Sequence, residues 1–398
     1  MVGKFKLASL SAICSIALTS PVFAEGDVAP FLSITTLSDN NLFRIDSGEE
    51  STLADGVSKS DTFYRTAVGL NVDWKVSRQA FLVSASLLDT RYENNTQLDN
   101  LGKNLSARWN WLIGSRLKGV LSANESISLS SFEDTNVQEK VERTTQTLNG
   151  NANWRYHPDW QVGFAVRSYD SSYDSELRSF SDLTLLTTSL NLDYLVKTGS
   201  RVGLKLQNEQ GEFPNRLESA FVDREYTQNA FLMTTVWVVS GKSNLNSELG
   251  FVSRKHPDIT ERDYNGFNAT LRYNWSVTGK VNIFTEAFRR IASTEDLLAN
   301  YSENTGAKLR AQWALTDKVT FSGNLTRETR DFSGQTNLVS GLSSTLEDRY
   351  TNKSIGLKYE PHRNFDIGLN YTQSARDSNA LLRDYSADLW SLTLKINL

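Results

Sequence analysis

Three histidines and a single cysteine limit the chemistry that this 398-residue chain could carry out. His157, His256 and His362 each adjoin a proline, which predicts turns or loops and not a catalytic cluster. Cys14 lies in the N-terminal apolar run, so the rest of the chain has no thiol for catalysis or zinc binding. No glycine-rich phosphate loop precedes a helical pattern. We therefore expect no enzyme, no metal, no cofactor and no nucleic-acid partner.

The first 24 residues differ from the remainder. Lys4 and Lys6 precede an apolar run over residues 7–18, and Val22-Phe23-Ala24 resembles a small-residue cleavage site. This pattern predicts a secretory signal peptide over residues 1–24. The remaining residues, 25–398, are then exported as one domain.

A repeat of about forty residues runs through the exported part. In each copy, a segment ends in an aromatic residue, a short turn follows, and a second segment begins. Longer stretches rich in Asp, Glu, Asn, Ser and Arg separate the copies, so short and long connections alternate. The recurring aromatics are Trp74, Trp111, Trp154, Tyr194, Trp237, Trp275, Trp313 and Tyr359.

Apolar and polar residues alternate with a period of two within these segments. At the C-terminus, Trp390, Leu392, Leu394, Ile396 and Leu398 alternate with polar residues. After residue 24, no apolar run is long enough for a membrane helix, whereas a closed sheet can cross a bilayer with such strands. The pattern predicts an all-β fold: a closed antiparallel transmembrane β-barrel of about 18 strands, with 16 possible. A secreted β-sandwich or β-helix is the alternative.

Tryptophans flank the short turns, as expected for an interfacial girdle in the cell outer membrane. The C-terminal strand ends in Leu398, and such a strand resembles the signal that the barrel-insertion machinery reads. Outer-membrane lipid and this machinery are therefore predicted partners. The predicted girdle residues are Trp74, Trp111, Trp154, Trp237, Trp275 and Trp313.

The opposite parity of each strand would line the lumen of the barrel, and it carries more bases than acids. These charges either pair with one another and keep the lumen wet, or present guanidinium groups to an anionic solute. Glu125 falls on the lipid-facing parity, which predicts a bulge or a strand end at that position. The predicted lumen bases are Arg65, Arg108, Arg155, Arg167, Lys205, Arg272, Lys308, Arg310, Lys358 and Lys395, and the acids are Asp73, Asp193, Glu248, Glu286, Glu328 and Asp366.

The end of the first predicted strand carries a short motif, Asp39, Asn40, Asn41, Leu42, Phe43 and Arg44. This motif resembles the β-barrel porins of exopolysaccharide operons, the EpsL-type exopolysaccharide biosynthesis proteins. The resemblance implies passage of a secreted polysaccharide through the outer membrane, with periplasmic export proteins and an anionic polysaccharide as possible partners. Asp39 and Asn40 also suit a turn that ends a strand, which is a purely structural explanation.

Together these patterns predict an outer-membrane channel, and the family resemblance implies that it exports an exopolysaccharide. The alternatives are a general or substrate-selective diffusion porin for small solutes, and a structural or adhesive barrel whose loops close the lumen.

Overall fold

The computed structural model of the protein describes residues 25–46, 48–133, 138–216, 223–257, 259–293, 301–333 and 346–398. The predicted signal peptide, residues 1–24, lies outside the described residues. Within the described ranges, no helix is both long and apolar enough to cross a membrane.

The described residues form eighteen β-strands and four single-turn 3₁₀ helices. The strands are β1 (Glu25–Asp39), β2 (Asp61–Val76), β3 (Gln79–Tyr92), β4 (Asn100–Ile113), β5 (Leu117–Leu129), β6 (Glu142–His157), β7 (Trp160–Tyr173), β8 (Leu183–Leu195), β9 (Arg201–Glu212), β10 (Glu225–Ser240), β11 (Ser243–Lys255), β12 (Tyr264–Ser276), β13 (Val281–Ser293), β14 (Tyr301–Ala314), β15 (Val319–Ser333), β16 (Glu347–His362), β17 (Phe365–Ser378) and β18 (Tyr385–Asn397). The 3₁₀ helices are Glu50–Thr52, Thr96–Leu98, Ser179–Ser181 and Thr260–Arg262.

Each strand pairs antiparallel with the strand that precedes it and the strand that follows it, and β1 pairs with β18. The sheet is therefore a closed ring, and the predicted fold class is confirmed. Closure satisfies the backbone groups that an open sheet would leave unpaired at its two edges.

The connections alternate in length, as the sequence predicts. Turns of a few residues join β2 to β3 and β4 to β5, where Gly114 supplies the positive φ of +61° that a tight turn requires. Longer loops of up to about twenty residues, such as residues 40–60 between β1 and β2 and residues 174–182 between β7 and β8, lie at the other end of the barrel. We call these two ends the short-turn end and the long-loop end.

The outer surface is apolar and carries aromatic residues near the short-turn end. Trp74, Phe81 and Trp109 lie opposite one another on β2, β3 and β4, with ring centroids 5.2 and 5.7 Å apart. Residues directly opposite in an antiparallel ladder share one face of the sheet. By the same register, all six tryptophans of the predicted girdle lie on the outer face, namely Trp74, Trp111, Trp154, Trp237, Trp275 and Trp313.

Glu125 lies on the outer face without the bulge or strand end that its parity predicts. The register of β5 with β4 and with β6 is continuous past this position. Glu125 instead forms an ion pair with Lys103, which is on the outer face of β4, and it accepts a hydrogen bond of 3.0 Å from Gln146 Nε2. A local ion pair thus replaces the expected irregularity of the backbone.

Candidate functional site: the polar lumen

The inner face of the barrel is lined mainly by Asn, Ser, Thr and charged side chains. Leu37, Phe63 and Tyr92 identify which face of the sheet is the inner one. They lie opposite one another and bury Phe43 of the first loop inside the ring. The strand register places nine of the ten predicted lumen bases on this inner face. They are Arg65, Arg108, Arg167, Lys205, Arg272, Lys308, Arg310, Lys358 and Lys395.

Arg155 is the tenth, and the register does not fix which face of the sheet it lies on. The pairing of β6 with β7 shifts between Trp154 and His157, so regular alternation ends before Arg155. Its guanidinium donates to the Pro158 carbonyl oxygen, with Nε at 2.9 Å, and lies in the turn at the short-turn end.

Four of the predicted bases form ion pairs with predicted acids, three of them across adjacent strands and one, Lys205 of β9 with Glu248 of β11, across β10. Arg272 Nε lies 2.7 Å from Glu286 Oε2, and Lys308 Nζ approaches the same carboxylate at 3.8 Å. These pairs cancel charge locally, as one of the two sequence interpretations expects. The other two pairs are Lys205 with Glu248 at 3.6 Å and Lys358 with Asp366 at 3.6 Å.

The other five inward bases have no carboxylate within 4.0 Å among the described residues. Arg65 and Arg108 donate to Thr90 Oγ1 and Asn110 Oδ1, and Arg310 donates to Asn324 Oδ1. The remaining two lie near aromatic rings, Arg167 over Tyr169 at 5.7 Å and Lys395 over Phe31 at 4.7 Å. None of the five has a carboxylate within 4.0 Å among the described residues, although Asp366 is opposite Lys395 in the ladder, so these bases leave positive charge on the lumen wall that no close ion pair compensates.

A cavity of about 610 Å³ opens in the lumen beside β6–β13. Arg143, Arg167, Arg254, Arg272 and Arg290 reach it, and so do the carboxylates of Glu209 and Glu248. A second cavity of about 380 Å³ lies beside β13–β16, next to Lys308 and Arg310. Arginine therefore supplies much of the polar surface of the larger cavity.

The sequence patterns above did not identify Arg254, which lines the larger cavity. It is 1% exposed, and its Nε and Nη2 donate to Gln228 Oε1 at 3.1 and 2.9 Å. Its Cζ lies 3.9 Å from the centroid of the Tyr226 ring. The sequence did contain a signal for this residue. Arg254 lies three inward positions after Glu248, so the alternation that predicts an inward Glu248 also predicts an inward Arg254.

The ends of β13 and β14 that flank residues 294–300, namely Arg290–Ser293 and Tyr301–Asn304, turn into the lumen, and we call this paired segment the tip. The ladder between β12 and β13 ends at Ala269 and Arg289, whereas β13 and β14 stay paired as far as Ser293 and Tyr301. Ser293 Oγ lies 2.7 Å from Tyr226 Oη, although β11 and β12 lie between their strands. The tip therefore packs against the inner wall of β10–β12.

This packing explains the two apolar faces of β10. Ala230 and Leu232 face inward, and they are buried with Val252 against Ile291 and Tyr301 of the tip. The outward face of the same strand carries Phe231, Met233 and Trp237. One apolar face of β10 thus contacts the tip, and the other forms the outer surface.

The family-like motif forms the start of the β1–β2 loop, residues 40–60, which enters the lumen at the long-loop end. Arg44 Nη1 and Nη2 donate to the two carboxylate oxygens of Asp39 at 3.0 and 2.9 Å. Asn41 Nδ2 donates to the Ile45 and Ser386 carbonyl oxygens at 2.8 and 2.9 Å. The motif is therefore a buried turn that attaches this loop to the barrel wall.

The β5–β6 loop, residues 130–141, also lies over the lumen. Phe132 packs edge-to-face on Phe43, with ring centroids 4.8 Å apart. The Gln138 side chain exchanges hydrogen bonds of 2.8 and 2.9 Å with Ala54 N and the Thr52 carbonyl oxygen. Arg376 of β17 donates to the Glu133 carbonyl oxygen from the far side of the first loop. The two loops together cover part of the long-loop end.

The comparison with curated proteins gave no match. Among solved structures, OccK9 (OpdG) of Pseudomonas aeruginosa aligns with 94% of this chain and 99% of its own, at 12% identity and a TM-score of 0.49. A BenF-like porin of Pseudomonas fluorescens aligns over 94% and 99% of the two chains, at 10% identity and a TM-score of 0.48. OccK2 (OpdF) of Pseudomonas aeruginosa, crystallised with glucuronate, gives 94% and 98% coverage, 8% identity and a TM-score of 0.49.

A protein-family model described as "Putative beta-barrel porin 2" matches residues 182–398, which is more than half of the chain. The matched region runs from the start of β8 to the end of β18, and it includes the wall of the smaller cavity and the part of the larger cavity formed by β8–β13. With the closed barrel and its polar lumen, this match shows that the chain belongs to the family described as "Putative beta-barrel porin 2".

Proposed function

We propose that this porin-like barrel lies in the outer membrane and lets small hydrophilic solutes diffuse through its lumen, with a preference for anions. The observation that carries the proposal is the set of five inward bases, Arg65, Arg108, Arg167, Arg310 and Lys395, which have no carboxylate within 4.0 Å among the described residues. A wall with uncompensated positive charge raises the local concentration of anions and lowers that of cations.

The size of the larger cavity supports a small solute. Pockets that hold small molecules have volumes of about 300–1,000 Å³, and this cavity measures about 610 Å³. Its arginines present planar forks that match carboxylate or phosphate geometry. The Asn, Ser and Thr residues around it can exchange hydrogen bonds with a hydrated solute as it passes.

Export of an exopolysaccharide, which the motif resemblance implies, has less support from the geometry. The motif residues Asp39, Asn41 and Arg44 bond to one another and to the barrel wall, so the turn itself accounts for them. A polymer would also have to pass two loops that are joined by Phe43–Phe132 packing and by the Gln138 hydrogen bonds. Periplasmic export partners and recognition of β18 by the insertion machinery remain predictions.

Ion selectivity in planar bilayers tests the proposal. The wild-type protein should conduct and give a reversal potential of anion-selective sign in a salt gradient. Changing Arg65, Arg108, Arg167 and Arg310 to Glu should reverse that sign. A matched control changes four exposed residues at the short-turn end, Arg78, Arg116, Arg155 and Arg363, to Glu, and should give a smaller shift because salt screens exposed charges. An unchanged reversal potential in the lumen variant would contradict the proposal.

Vesicle swelling separates the two transport functions. A diffusion porin should admit monosaccharides quickly and exclude long oligosaccharides. Equal rates for both would favour a polysaccharide conduit, and the absence of both swelling and conductance would indicate a closed, structural barrel.

A further inference from the structure

The outer face of the barrel carries cations in positions where an unpaired charge is costly. Seven outward positions on the described strands hold Lys or Arg, and five of these have a carboxylate within 4.0 Å. The five are Arg91 with Asp89, Lys103 with Glu125, Lys255 with Asp263, Arg289 with Glu303, and Arg349 with Glu347. Pairing on this face is therefore the rule.

Arg327 and Lys353 are the two exceptions among the described residues. Both side chains are exposed, and neither has a carboxylate within 4.0 Å in the described part of the chain. They lie on adjacent strands, because Leu325 is opposite Lys353 and Arg327 is opposite Thr351. Such diagonal positions are about 7–8 Å apart, so two long side chains can reach one common anion.

Arg327 and Lys353 lie at the edge of the apolar outer surface that is nearer the long-loop end. Ile355 lies opposite Tyr371, which packs on Trp390 with ring centroids 4.6 Å apart. Lys353 is the next outward residue beyond Ile355 toward the long-loop end, and Arg327 is the next beyond Leu325. Since outer-membrane barrels have short periplasmic turns and long external loops, this edge faces the outer leaflet.

From these observations we propose that Arg327 and Lys353 bind the phosphate of an outer-leaflet lipid. The guanidinium and ammonium groups would supply charge-assisted hydrogen bonds to one phosphate. The acyl chains would lie along Leu325, Ile355 and Leu357, which are exposed on the same face toward the short-turn end. A lipid anion completes the pairing that the protein supplies at the other five outward cations.

The inference depends on the proposed outer-membrane location but not on which solute crosses the lumen. A negative result in a lipid-binding experiment would therefore leave the proposed solute pathway unaffected, and a negative result in a conductance experiment would leave the proposed lipid site unaffected. A variant that loses lipid and keeps its reversal potential tests this site alone.

The test measures binding of diphosphoryl lipid A to the detergent-purified barrel, with dephosphorylated lipid A as the second probe. The variant R327Q/K353Q should bind diphosphoryl lipid A about thirty-fold more weakly than wild type, at about 1 kcal/mol for each cation. The control R91Q/K255Q removes the same number of positive charges from outward positions that have their own carboxylates, and it should bind as wild type does. The heat-dependent shift in gel mobility shows that each variant is a folded barrel.

Three results would overturn the proposal. The first is equal binding of diphosphoryl lipid A by wild type and R327Q/K353Q. The second is equal binding of the phosphorylated and dephosphorylated lipids by wild type. The third is displacement of the lipid by millimolar inorganic phosphate, which would assign the site to a free anion.

Discussion

Asn40 and Asp388 join the two ends of the chain by three hydrogen bonds where β1 meets β18. Asn40 N donates to the Asp388 carbonyl oxygen at 3.2 Å, and Asn40 Nδ2 donates to Asp388 Oδ2 at 3.0 Å. In return, Asp388 N donates to Asn40 Oδ1 at 2.8 Å. The residues are 348 positions apart, so this contact exists only in the closed ring.

Replacing Asn40 with Ala should weaken this seam. The change removes both side-chain bonds, and because Asn40 is exposed and water can take its place, the free energy of unfolding should fall by about 0.5–1.5 kcal/mol. Urea unfolding in lipid vesicles measures the difference. Asn397→Ala, at the opposite end of the same seam, is the control and should have a smaller effect. Equal losses from both variants would show that Asn40 has no special role in closure.

Replacing Arg44 with Ala should release the β1–β2 loop from the wall. Asp39 is buried, and loss of its guanidinium partner leaves an unpaired carboxylate, which costs about 3–5 kcal/mol in buried pairs. We expect a higher single-channel conductance with more current noise, because the loop would no longer be held in the lumen. Lys59→Ala, which removes an exposed ion pair of the same loop, should leave the conductance unchanged. An unaltered trace for Arg44→Ala would show that the loop does not restrict flow.

Replacing both members of the outward pair Lys103–Glu125 should be less harmful than replacing one. Glu125→Leu leaves Lys103 unpaired on the apolar surface, and a lysine in lipid costs about 2–4 kcal/mol at the bilayer midplane and less toward the edges. In K103L/E125L no charge remains, so most of the stability should return. Unfolding of the two single variants and the double variant in vesicles gives the coupling free energy. Additive losses would mean that the pair contributes nothing.

Acidification should loosen the β11–β12 loop through His256. Burial lowers its pKa to about 4 and the nearby Arg254 acts in the same direction, against the opposing effect of Asp263. Between about pH 6.5 and pH 4, the opened loop binds a proton that the folded loop excludes. Stability is therefore constant above this window and falls as the pH drops through it, by up to about 3 kcal/mol.

Amide hydrogen exchange of the β11–β12 loop at pH 7 and pH 5, corrected for intrinsic rates, measures this change. His256→Gln should remove the dependence, whereas the exposed His157 and His362 should have no effect on this loop when changed to Gln. Protection that stays constant in wild type across the window would contradict the assignment.

Much of the barrel could be predicted because its physics is local. A period of two, short turns at regular intervals and aromatic residues beside them are set by strand geometry and by the membrane interface. The same alternation gave the facing of Arg272 and Glu286, which the structure brings to 2.7 Å. Where alternation is interrupted, at the shift between Trp154 and His157, the register does not establish the facing of Arg155, which stays a prediction.

The interior of the long-loop end could not be predicted in the same way. The inward turn of the β13–β14 tip depends on contacts such as Ser293 with Tyr226, which are 67 residues apart. The alternation of apolar and polar residues along one strand does not indicate contacts with residues that are distant in the sequence. The two apolar faces of β10 were the available signal, since a buried apolar inner face requires a covering element.

Pairing of β1 with β18 also constrains how the protein is made. Because β18 is synthesised after β1–β17, a partly formed sheet exposes two unpaired strand edges until β18 is available. Pairing of these edges with strands of other chains would compete with closure of the barrel. A chain of this kind has to be kept apart from other chains until β18 pairs with β1, and the arrival of β18 therefore determines when the barrel can close.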